Sequence, residues 1–189
     1  MENIIQNEVT QAIISRRSIR DFKPDQISEL QLKTIINCGF HAPSGMNCQG
    51  WYLSVIQNKQ LLDEIHQEHI RSLPPVEKLP PVMQERLKNP DYNVFFHAPT
   101  VIMVSHAEKA GSLNCGFLGQ NMVLTAQSLG LGTCYLGGIL QLLLAPEGQP
   151  FLDQMKIPDG YSPCFLIAVG QPNEQPAMRE RDFTRYVMI

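Results

Sequence analysis

The stretch LNCGFLGQNMVLTAQSL, residues 113–129, decides the fold of this chain. It is apolar around most of its circumference, which predicts a helix at the centre of the protein. Its small residues Gly116 and Gly119 should allow neighbouring elements to pack closely. Gly130 should end the helix, because glycine adopts the left-handed conformation of a helix terminus without strain.

Short apolar runs on both sides of this helix predict strands. They are WYLSVI (51–56), TVIMVS (100–105), CFLIAVG (164–170) and the glycine-rich GTCYLGGI (132–139), which is a short strand or a turn. Further helices are predicted over 4–15, from Ser28 to about Gly39, and over 59–72. Gln31 follows Ser28 at the spacing of a capping box. Helices that separate strands predict a layered α+β (α/β) fold.

Six prolines between residues 74 and 99 should interrupt regular structure, because proline lacks a backbone donor and restricts the residue before it. Long irregular segments inside a compact domain are often lids. We therefore predict a lid-like segment at about 70–96, within a single domain of residues 1–189. The expected lid residues are Tyr92, Phe95 and Phe96. The charged residues of the segment resemble those of a solvated helix: Glu77, Lys78, Glu85 and Arg86.

The composition is that of an ordinary globular protein, with 43% hydrophobic and 17% charged residues. A formal net charge of −3 argues against a nucleic-acid partner. No apolar run approaches the roughly 18 residues of a membrane span, and the N-terminal sequence lacks the pattern of a secretion signal. Five cysteines without a C-x-x-C pair argue against a disulfide framework. The expected location is therefore cytoplasmic.

Familiar catalytic and nucleotide-binding motifs do not occur in the sequence. It contains no G-x-S-x-G, no H-E-x-x-H, no Walker loop and no G-x-G-x-x-G. His66 and His69 stand three residues apart beside Asp63 and Glu64. A solvated helix face is a more frequent explanation of such spacing than a metal site, so no metal is expected.

Arginines are concentrated at the two ends of the chain. Six of the eight lie in RRSIRDF (16–22) and RERDFTR (179–185). One guanidinium group can donate hydrogen bonds to two phosphate oxygens at once. Two or three arginines can therefore hold a phosphate ester without a Walker loop. The alternative is that these arginines form ion pairs with nearby carboxylates. Those carboxylates are Asp21, Glu180 and Asp182.

Four segments, taken together and in order, resemble the FMN-dependent nitroreductase family of NAD(P)H-dependent flavoproteins. They are RRSIRDF (16–22), APSGMNCQGW (42–51), LGLGTCYLGG (129–138) and GQPNEQPAMRER (170–181). The likeness spans about residues 10–185. It implies a central, mostly antiparallel sheet flanked by helices, and an intertwined homodimer with FMN at the subunit interface.

The resemblance also implies which residues bind FMN. Those matched to the phosphate, the ribityl chain and the pyrimidine side are Arg16, Arg17, Ser18, Arg20, Arg179 and Arg181. Those matched to the loop that reaches the isoalloxazine from the other subunit are Pro43, Ser44, Gly45 and Asn47. Leu136, Gly137 and Gly138 match the segment against the flavin, where the Gly137 N–H is the expected partner of flavin N5. No side chain is expected to act as a nucleophile.

Two segments depart from the family's pattern, at three positions. Many members read N-R-Q-P-W where this chain reads NCQGW (47–51), which changes the contact at Cys48 and the rigidity at Gly50. Some members have an acidic residue in place of Gly137.

The implied activity is hydride transfer from NADH or NADPH, through flavin N5, to a flat acceptor such as a nitroaromatic or a quinone. Donor and acceptor would take turns over one flavin face, which gives ping-pong kinetics. One alternative is a related flavoprotein, either a reductive dehalogenase or a flavin-fragmenting enzyme. A second is a flavin-binding protein without turnover, and a third is a protein whose arginines are all structural.

Overall fold

The computed structural model of the protein describes residues 4–189. Within them, seven α-helices pack around one antiparallel sheet of four strands. The strands are β1 (Trp51–Ile56), β2 (Thr100–Ala107), β3 (Gly132–Leu136) and β4 (Tyr161–Gly170), in the order β1-β2-β4-β3. The helices are α1 (Glu8–Ser15), α2 (Glu29–Phe40), α3 (Lys59–Ser72), α4 (Pro81–Leu87), α5 (Leu113–Ser128), α6 (Leu140–Leu143) and α7 (Gln149–Gln154). The predicted layered fold is confirmed.

The two central strands, β2 and β4, are buried on both faces. Alternate residues of a strand point to opposite sides of the sheet. Val101 and Met103 therefore enter one core layer, whereas Ile102 and Val104 enter the other. All four side chains are fully buried. This double coverage explains why β2 is a continuous apolar run and does not alternate apolar with polar residues.

Helix α5 packs on one face of the sheet, and only one of its two glycines is needed there. A Cβ on Gly119 would lie 2.7 Å from the Tyr135 hydroxyl and 2.8 Å from Phe165 Cζ. Gly116 is exposed and its Cβ would meet no atom within 4 Å, so the predicted packing role of Gly116 within the chain is wrong. None of the helices in residues 4–189, α5 included, has the length and apolarity of a membrane span.

Gly130 ends α5 as predicted. Its φ is +74°, in the left-handed region. The N–H of Leu131 donates to the Ala126 carbonyl oxygen at 2.9 Å, and the N–H of Gly130 donates to that of Gln127 at 3.1 Å. These two bonds satisfy carbonyl groups that the end of the helix would otherwise leave without partners.

Side-chain caps set where the first two helices begin. α1 begins at Glu8, later than predicted, because Asn7 caps it: Asn7 Oδ1 accepts from the N–H of Thr10 at 2.9 Å. The capping box at the start of α2 is confirmed, with Ser28 Oγ accepting from the N–H of Gln31 at 3.2 Å.

The proline-rich segment is less irregular than predicted. It contains one short 3₁₀ turn, Val76–Lys78, and the helix α4. Pro81 is the first residue of α4, a position where its missing N–H removes no helical hydrogen bond. The segment therefore presents side chains from a helix as well as from loops.

Candidate functional site

The N-terminal arginine segment, residues 16–22, runs alongside β3. Ser18 forms a parallel bridge with Thr133, and the N–H of Ile19 donates to the Thr133 carbonyl oxygen at 2.9 Å. Because β3 leads directly into Gly137, this pairing carries the arginines to the same edge of the sheet as the glycine-rich backbone.

The same segment also pairs with the chain that follows β4. Phe22 forms an antiparallel bridge with Pro172. The N–H of Asn173 donates to the Asp21 carbonyl oxygen, and the Asn173 amide donates to the Asp21 carboxylate, both at 2.9 Å. These contacts bring the two ends of the chain together, and they direct residues 179–185 towards α1.

Arg16, Arg179 and Arg181 consequently line one cavity of about 440 Å³, which we call the arginine cavity. Its other lining residues are Ile13, Ile14, Met178, Glu180 and Phe183. Among residues 4–189, none of these three arginines forms an ion pair, whereas Arg185 does, with Asp182 at 2.6 Å. Ion pairing therefore does not explain the cluster, and three guanidinium groups around one space favour an anionic ligand.

Arg17 and Ser18 do not line the arginine cavity, nor the cavity at the end of β3. The sequence had grouped them with Arg16 and Arg20 as FMN-binding residues. Arg17 Nη1 donates to the carbonyl oxygens of Ile14 at 2.7 Å, Ser15 at 2.9 Å and Arg16 at 2.9 Å. The last carbonyls of a helix lack intrahelical partners, so Arg17 stabilises the end of α1. Its Nε is buried without a hydrogen-bond partner.

A second cavity, of about 300 Å³, lies where β3 ends, and we call it the glycine cavity. One wall consists of Arg20, Cys134, Tyr135, Leu136, Gly137, Gly138 and Gln141. The opposite wall consists of His69, Leu73, Leu79, Pro80, Met83, Arg86, Tyr92, Val94 and Phe96. The proline-rich segment thus covers the end of β3, and the volume of the cavity lies at the small end of the range for ligand sites.

Phe95 does not belong to this wall, which corrects the expectation that it is a lid residue. Tyr92, Val94 and Phe96 line the glycine cavity, whereas Phe95 is 1% exposed and packs in the core beneath it. Phe96 has a φ of +56°, which turns the chain at this point. Phe95 therefore anchors the segment, and its two aromatic neighbours face the cavity.

Gly137 and Gly138 leave space that the fold itself does not require. Neither residue has a left-handed φ, and a Cβ on either would meet no protein atom within 4 Å. Backbone conformation and packing would therefore both tolerate a side chain here. A flat ligand lying against this backbone is a physical reason for two consecutive glycines.

Positive charge surrounds the floor of the glycine cavity. Burial raises the pKa of the Cys134 thiol, the charges of Arg20, Arg86 and Arg16 act in the opposite direction, and the charge of Glu174 adds to the rise. Burial also raises the pKa of Tyr135 to about 12, again against the charge of Arg16. The field of three guanidinium groups therefore reaches the end of β3.

The two histidines of α3 lie on its inner face, so the sequence interpretation of a solvated face is wrong for them. His69 is 4% exposed and lines the glycine cavity, and the His66 ring lies 6.2 Å from the Tyr92 ring, edge to face. Burial, followed by the charge of His66, lowers the pKa of His69. Among residues 4–189, no group of three potential metal ligands occurs.

Arg86 was also placed on a solvated surface by the sequence interpretation, and it lines the cavity instead. Its guanidinium carbon lies 5.6 Å from the centre of the Phe96 ring. A usable signal was present: Met83 and Arg86 stand three residues apart on α4, and both face inward. Prolines on both sides of this short helix conceal its period.

The loop containing Pro43, Ser44, Gly45 and Asn47 lines neither cavity of its own chain. Ser44 Oγ accepts from the N–H of Gln49 at 3.0 Å, and Asn47 Oδ1 accepts from the Gln49 amide at 3.1 Å. Asn47 has a φ of +53° and is exposed. The loop is thus held in a defined shape, away from the arginines.

Gly50, where many family members have proline, is packed too closely for a side chain. Its built Cβ would collide with Ala110 Cβ. Its carbonyl oxygen accepts from the N–H of Ala107 at 2.9 Å. Cys48 Sγ accepts from the Asn114 amide at 3.4 Å. The two loop residues that depart from the family pattern, Cys48 and Gly50, therefore both have local contacts in this chain.

Comparison with known proteins gives a consistent result. Residues 13–171 match the sequence model of the Nitroreductase family. The NADPH-flavin oxidoreductase of Vibrio harveyi is 25% identical over 181 residues, which cover 93% of this chain and 70% of that protein.

Two solved structures share both fold and sequence with the chain. A nitroreductase with bound FMN from Desulfitobacterium hafniense superposes with a TM-score of 0.88 at 26% identity, covering 98% of this chain and 100% of that one. An FMN-dependent nitroreductase from Clostridium difficile superposes with a TM-score of 0.79 at 31% identity, covering 96% of this chain and 99% of that one. With its family match over residues 13–171 and these shared folds, the chain belongs to the Nitroreductase family.

Proposed function

We propose that the protein is an NAD(P)H-dependent FMN oxidoreductase that reduces flat acceptors such as nitroaromatics or quinones. The observation that carries the proposal is the meeting of Arg16 with Arg179 and Arg181 in one cavity, near the open backbone of Gly137 and Gly138. The two related structures described as FMN-bound or FMN-dependent support the same cofactor.

The chain offers groups suited to each part of FMN. The arginine cavity would hold the phosphate, because guanidinium groups bind phosphate oxygens bidentately. Gly137 and Gly138 would lie against the ring system, with the Gly137 N–H donating to N5. Arg20, which lines the glycine cavity, would lie at the pyrimidine side.

FMN, when bound, supplies the hydride transfer between NAD(P)H and the acceptor. The chain's own contribution is binding, orientation and charge. Arg16, Arg20 and Arg86 would make negative charge in the site more favourable, since charges interact strongly where water is largely excluded. Because one cavity faces Gly137, donor and acceptor would occupy it in turn, which gives ping-pong kinetics.

A homodimer with a shared cofactor site is part of the proposal. Helix α1 exposes Val9 at 64% and Ile13 at 50%, and α5 exposes Leu113 at 72%. Exposed apolar surface of this extent is typical of interfaces. The loop around Asn47, which lies apart from the arginines of its own chain, would then complete the site of the partner.

A reducing, cytoplasmic location is proposed as well. All five cysteines are free thiols, and two of them, Cys115 and Cys134, are buried. Free thiols persist where the compartment keeps them reduced.

The activity is tested by anaerobic stopped-flow absorbance with FMN-loaded protein. NADH or NADPH should bleach the flavin, and nitro, quinone, enone and halogenated compounds should then be compared for the rate at which they restore its absorbance. Bound flavin that neither nicotinamide reduces would favour a non-catalytic binder. Protein that remains colourless after incubation with FMN would refute the proposal entirely.

The shared site is tested by mixing two impaired variants, Arg181→Ala and Asn47→Ala. If each site combines residues from two subunits, half of the randomly re-formed dimers regain one intact site, so about a quarter of wild-type activity should return. A site contained in one chain would regain nothing on mixing. Each variant alone, refolded in the same way, is the control.

A further inference from the structure

The glycine cavity is lined by two arginines, and one carboxylate lies beside the first of them: Glu174 accepts a hydrogen bond from the N–H of Arg20. Its lining residues include Arg20 and Arg86, and no aspartate or glutamate from residues 4–189 is among them. Burial lowers the pKa of His69, which also lines the cavity, so this histidine is neutral at physiological pH and adds no charge. Glu174 offsets part of the charge at Arg20, and Arg86 is the other cation of the lining.

Arg86 is the cation on the side away from β3. It lies in the last turn of α4, is half-buried, and has its guanidinium carbon 5.6 Å from the centre of the Phe96 ring. The neighbouring carboxylate of Glu85 is paired with Lys88 at 2.6 Å, and Arg86 is in none of the ion pairs of the described chain. The structure thus holds a guanidinium group at the cavity wall without an anionic partner.

The remaining surface of the cavity is apolar and suited to a ring. Leu73, Leu79, Met83, Val94, Phe96 and Leu136 supply it. The cavity has a volume of about 300 Å³, and a flavin ring against Gly137 and Gly138 would take up part of it, so the space left for an acceptor beside Arg86 is small. An occupant that satisfies both the apolar surface and the cation is a single aromatic ring with one anionic substituent.

We infer that the acceptors preferred by this enzyme are small aromatic compounds bearing a carboxylate or sulfonate, and that Arg86 binds this anionic group. The inference rests on the proposed oxidoreductase function and adds the substrate class. In the reaction used as a probe, 4-nitrobenzoate takes two electrons and two protons and becomes the nitroso compound and water. NAD(P)H supplies a hydride, which is both electrons and one proton, and solvent supplies the other proton.

The test compares 4-nitrobenzoate with its neutral analogue 4-nitrobenzamide, using FMN-loaded wild type, Arg86→Gln and Arg86→Lys. Lys78→Gln is the matched control, since it removes one positive charge from an exposed residue of the same segment that does not line the cavity. Arg86→Gln should lower kcat/KM for the anion about tenfold or more, which is the loss expected for a hydrogen bond to a charged group. The neutral analogue reports any loss that comes from the wider charge of the site, so the ratio of kcat/KM for the anion to that for the neutral analogue should itself fall about tenfold.

Arg86→Lys should keep part of the preference, and Lys78→Gln should keep all of it. Calorimetric titration with benzoate and benzamide gives a readout without turnover, and Arg86→Gln should weaken benzoate binding alone. An anion-to-neutral ratio that Arg86→Gln leaves unchanged would overturn the inference. An equal loss of kcat/KM for 4-nitrobenzoate in Lys78→Gln would also overturn it. That result would mean that the overall positive charge of the segment attracts the anion, without contact between Arg86 and the carboxylate.

The phosphates of the nicotinamide donor are the other possible anions for Arg86, and flavin reduction distinguishes them. If Arg86→Gln slows reduction by NADPH or NADH and leaves 4-nitrobenzoate unaffected, Arg86 binds the donor and the inference is wrong. Failure of the proposed function looks different, since neither nicotinamide would then reduce the flavin of the wild type. Benzoate titration still decides whether Arg86 binds a small aromatic anion in that case.

Discussion

Gly132 lies directly against Ile19: a Cβ on Gly132 would come within 2.8 Å of Ile19 Cγ1. This contact lets the N-terminal arginine segment run alongside β3. Gly137 follows the last residue of the same strand, and a Cβ added to it would have no atom within 4 Å. One glycine therefore allows two parts of the fold to meet, and the other leaves a surface open.

We expect Gly137→Ala to leave the melting temperature close to that of the wild type, because the added methyl group meets no protein atom. The same methyl group would stand in the space proposed for the flavin, so FMN affinity or the rate of flavin reduction should fall. Gly132→Ala is the matched control and should lower the melting temperature, because the methyl group would press on Ile19. Unchanged FMN binding and unchanged reduction in Gly137→Ala would separate Gly137 from the site.

Arg181→Ala should weaken FMN binding without unfolding the protein. Loss of one charged hydrogen bond costs about 1.5–3 kcal/mol, or roughly a 10- to 150-fold higher Kd. Fluorescence titration of apoprotein with FMN measures this change. Arg185→Ala, in the same tail but paired with Asp182 and outside the arginine cavity, should have little effect. Equal Kd values for the Arg181→Ala variant and the wild type would contradict the phosphate assignment.

Arg17→Ala should affect stability more than FMN affinity. Its guanidinium group donates to carbonyl oxygens at the end of α1, and a typical hydrogen bond contributes about 0.5–1.5 kcal/mol. Thermal unfolding of the apoprotein should show this loss as a lower melting temperature. The side chain of Arg16 lines the arginine cavity, so Arg16→Ala should weaken FMN binding more than it lowers the melting temperature. A variant of Arg17 that binds FMN poorly but melts normally would make it a cofactor ligand.

Stability should fall as the solution is acidified from pH 7 to pH 5, and His69 should contribute to the fall. Burial and then the charge of His66 lower the pKa of His69, so the unfolded chain takes up a proton more readily than the folded protein does. The contribution of His69 to the free energy of unfolding is thus present above the ordinary histidine pKa of about 6.5. It is lost progressively as the pH falls from there towards the lowered pKa of the folded protein. His69→Gln should flatten the dependence of urea-unfolding free energy on pH, whereas the same change at the exposed His41 should not.

Cys164 should react with iodoacetamide at a lower pH than an ordinary thiol. The neighbouring Cys115 thiol lowers the pKa of Cys164 to about 7, burial opposes this shift, and the charge of His106 adds to it. The buried Cys115 thiol donates to the Ser105 carbonyl oxygen at 3.7 Å, and Cys164 and burial both raise its pKa. Alkylation followed by mass spectrometry should rise through pH 7, against about pH 8.5 for a cysteine peptide.

Replacement of the neighbouring thiol, Cys115, provides the control for this prediction. In Cys115→Ala the alkylation midpoint of Cys164 should move towards that of the peptide. A midpoint that does not move would mean that another group sets the acidity of Cys164.

The sequence by itself determined the features that depend on neighbouring residues. The apolar runs predicted β1, β2 and β4, and the capping residues Ser28 and Gly130 marked the beginning of α2 and the end of α5. The order of four motif segments was enough to indicate the family. These signals are local, because a hydrogen-bonded cap or an alternating strand needs only the residues within a few positions of it.

Only the tertiary structure decided which side chains share a space. The bridge between Phe22 and Pro172 brings the two arginine clusters together, and no local pattern encodes that pairing. The tertiary structure also gives adjacent residues different surroundings. Arg16 lines the arginine cavity and Arg17 does not, and Phe96 lines the glycine cavity and Phe95 does not. The physical reason is that neighbouring side chains point in different directions, and long-range strand pairing alone sets what each direction faces.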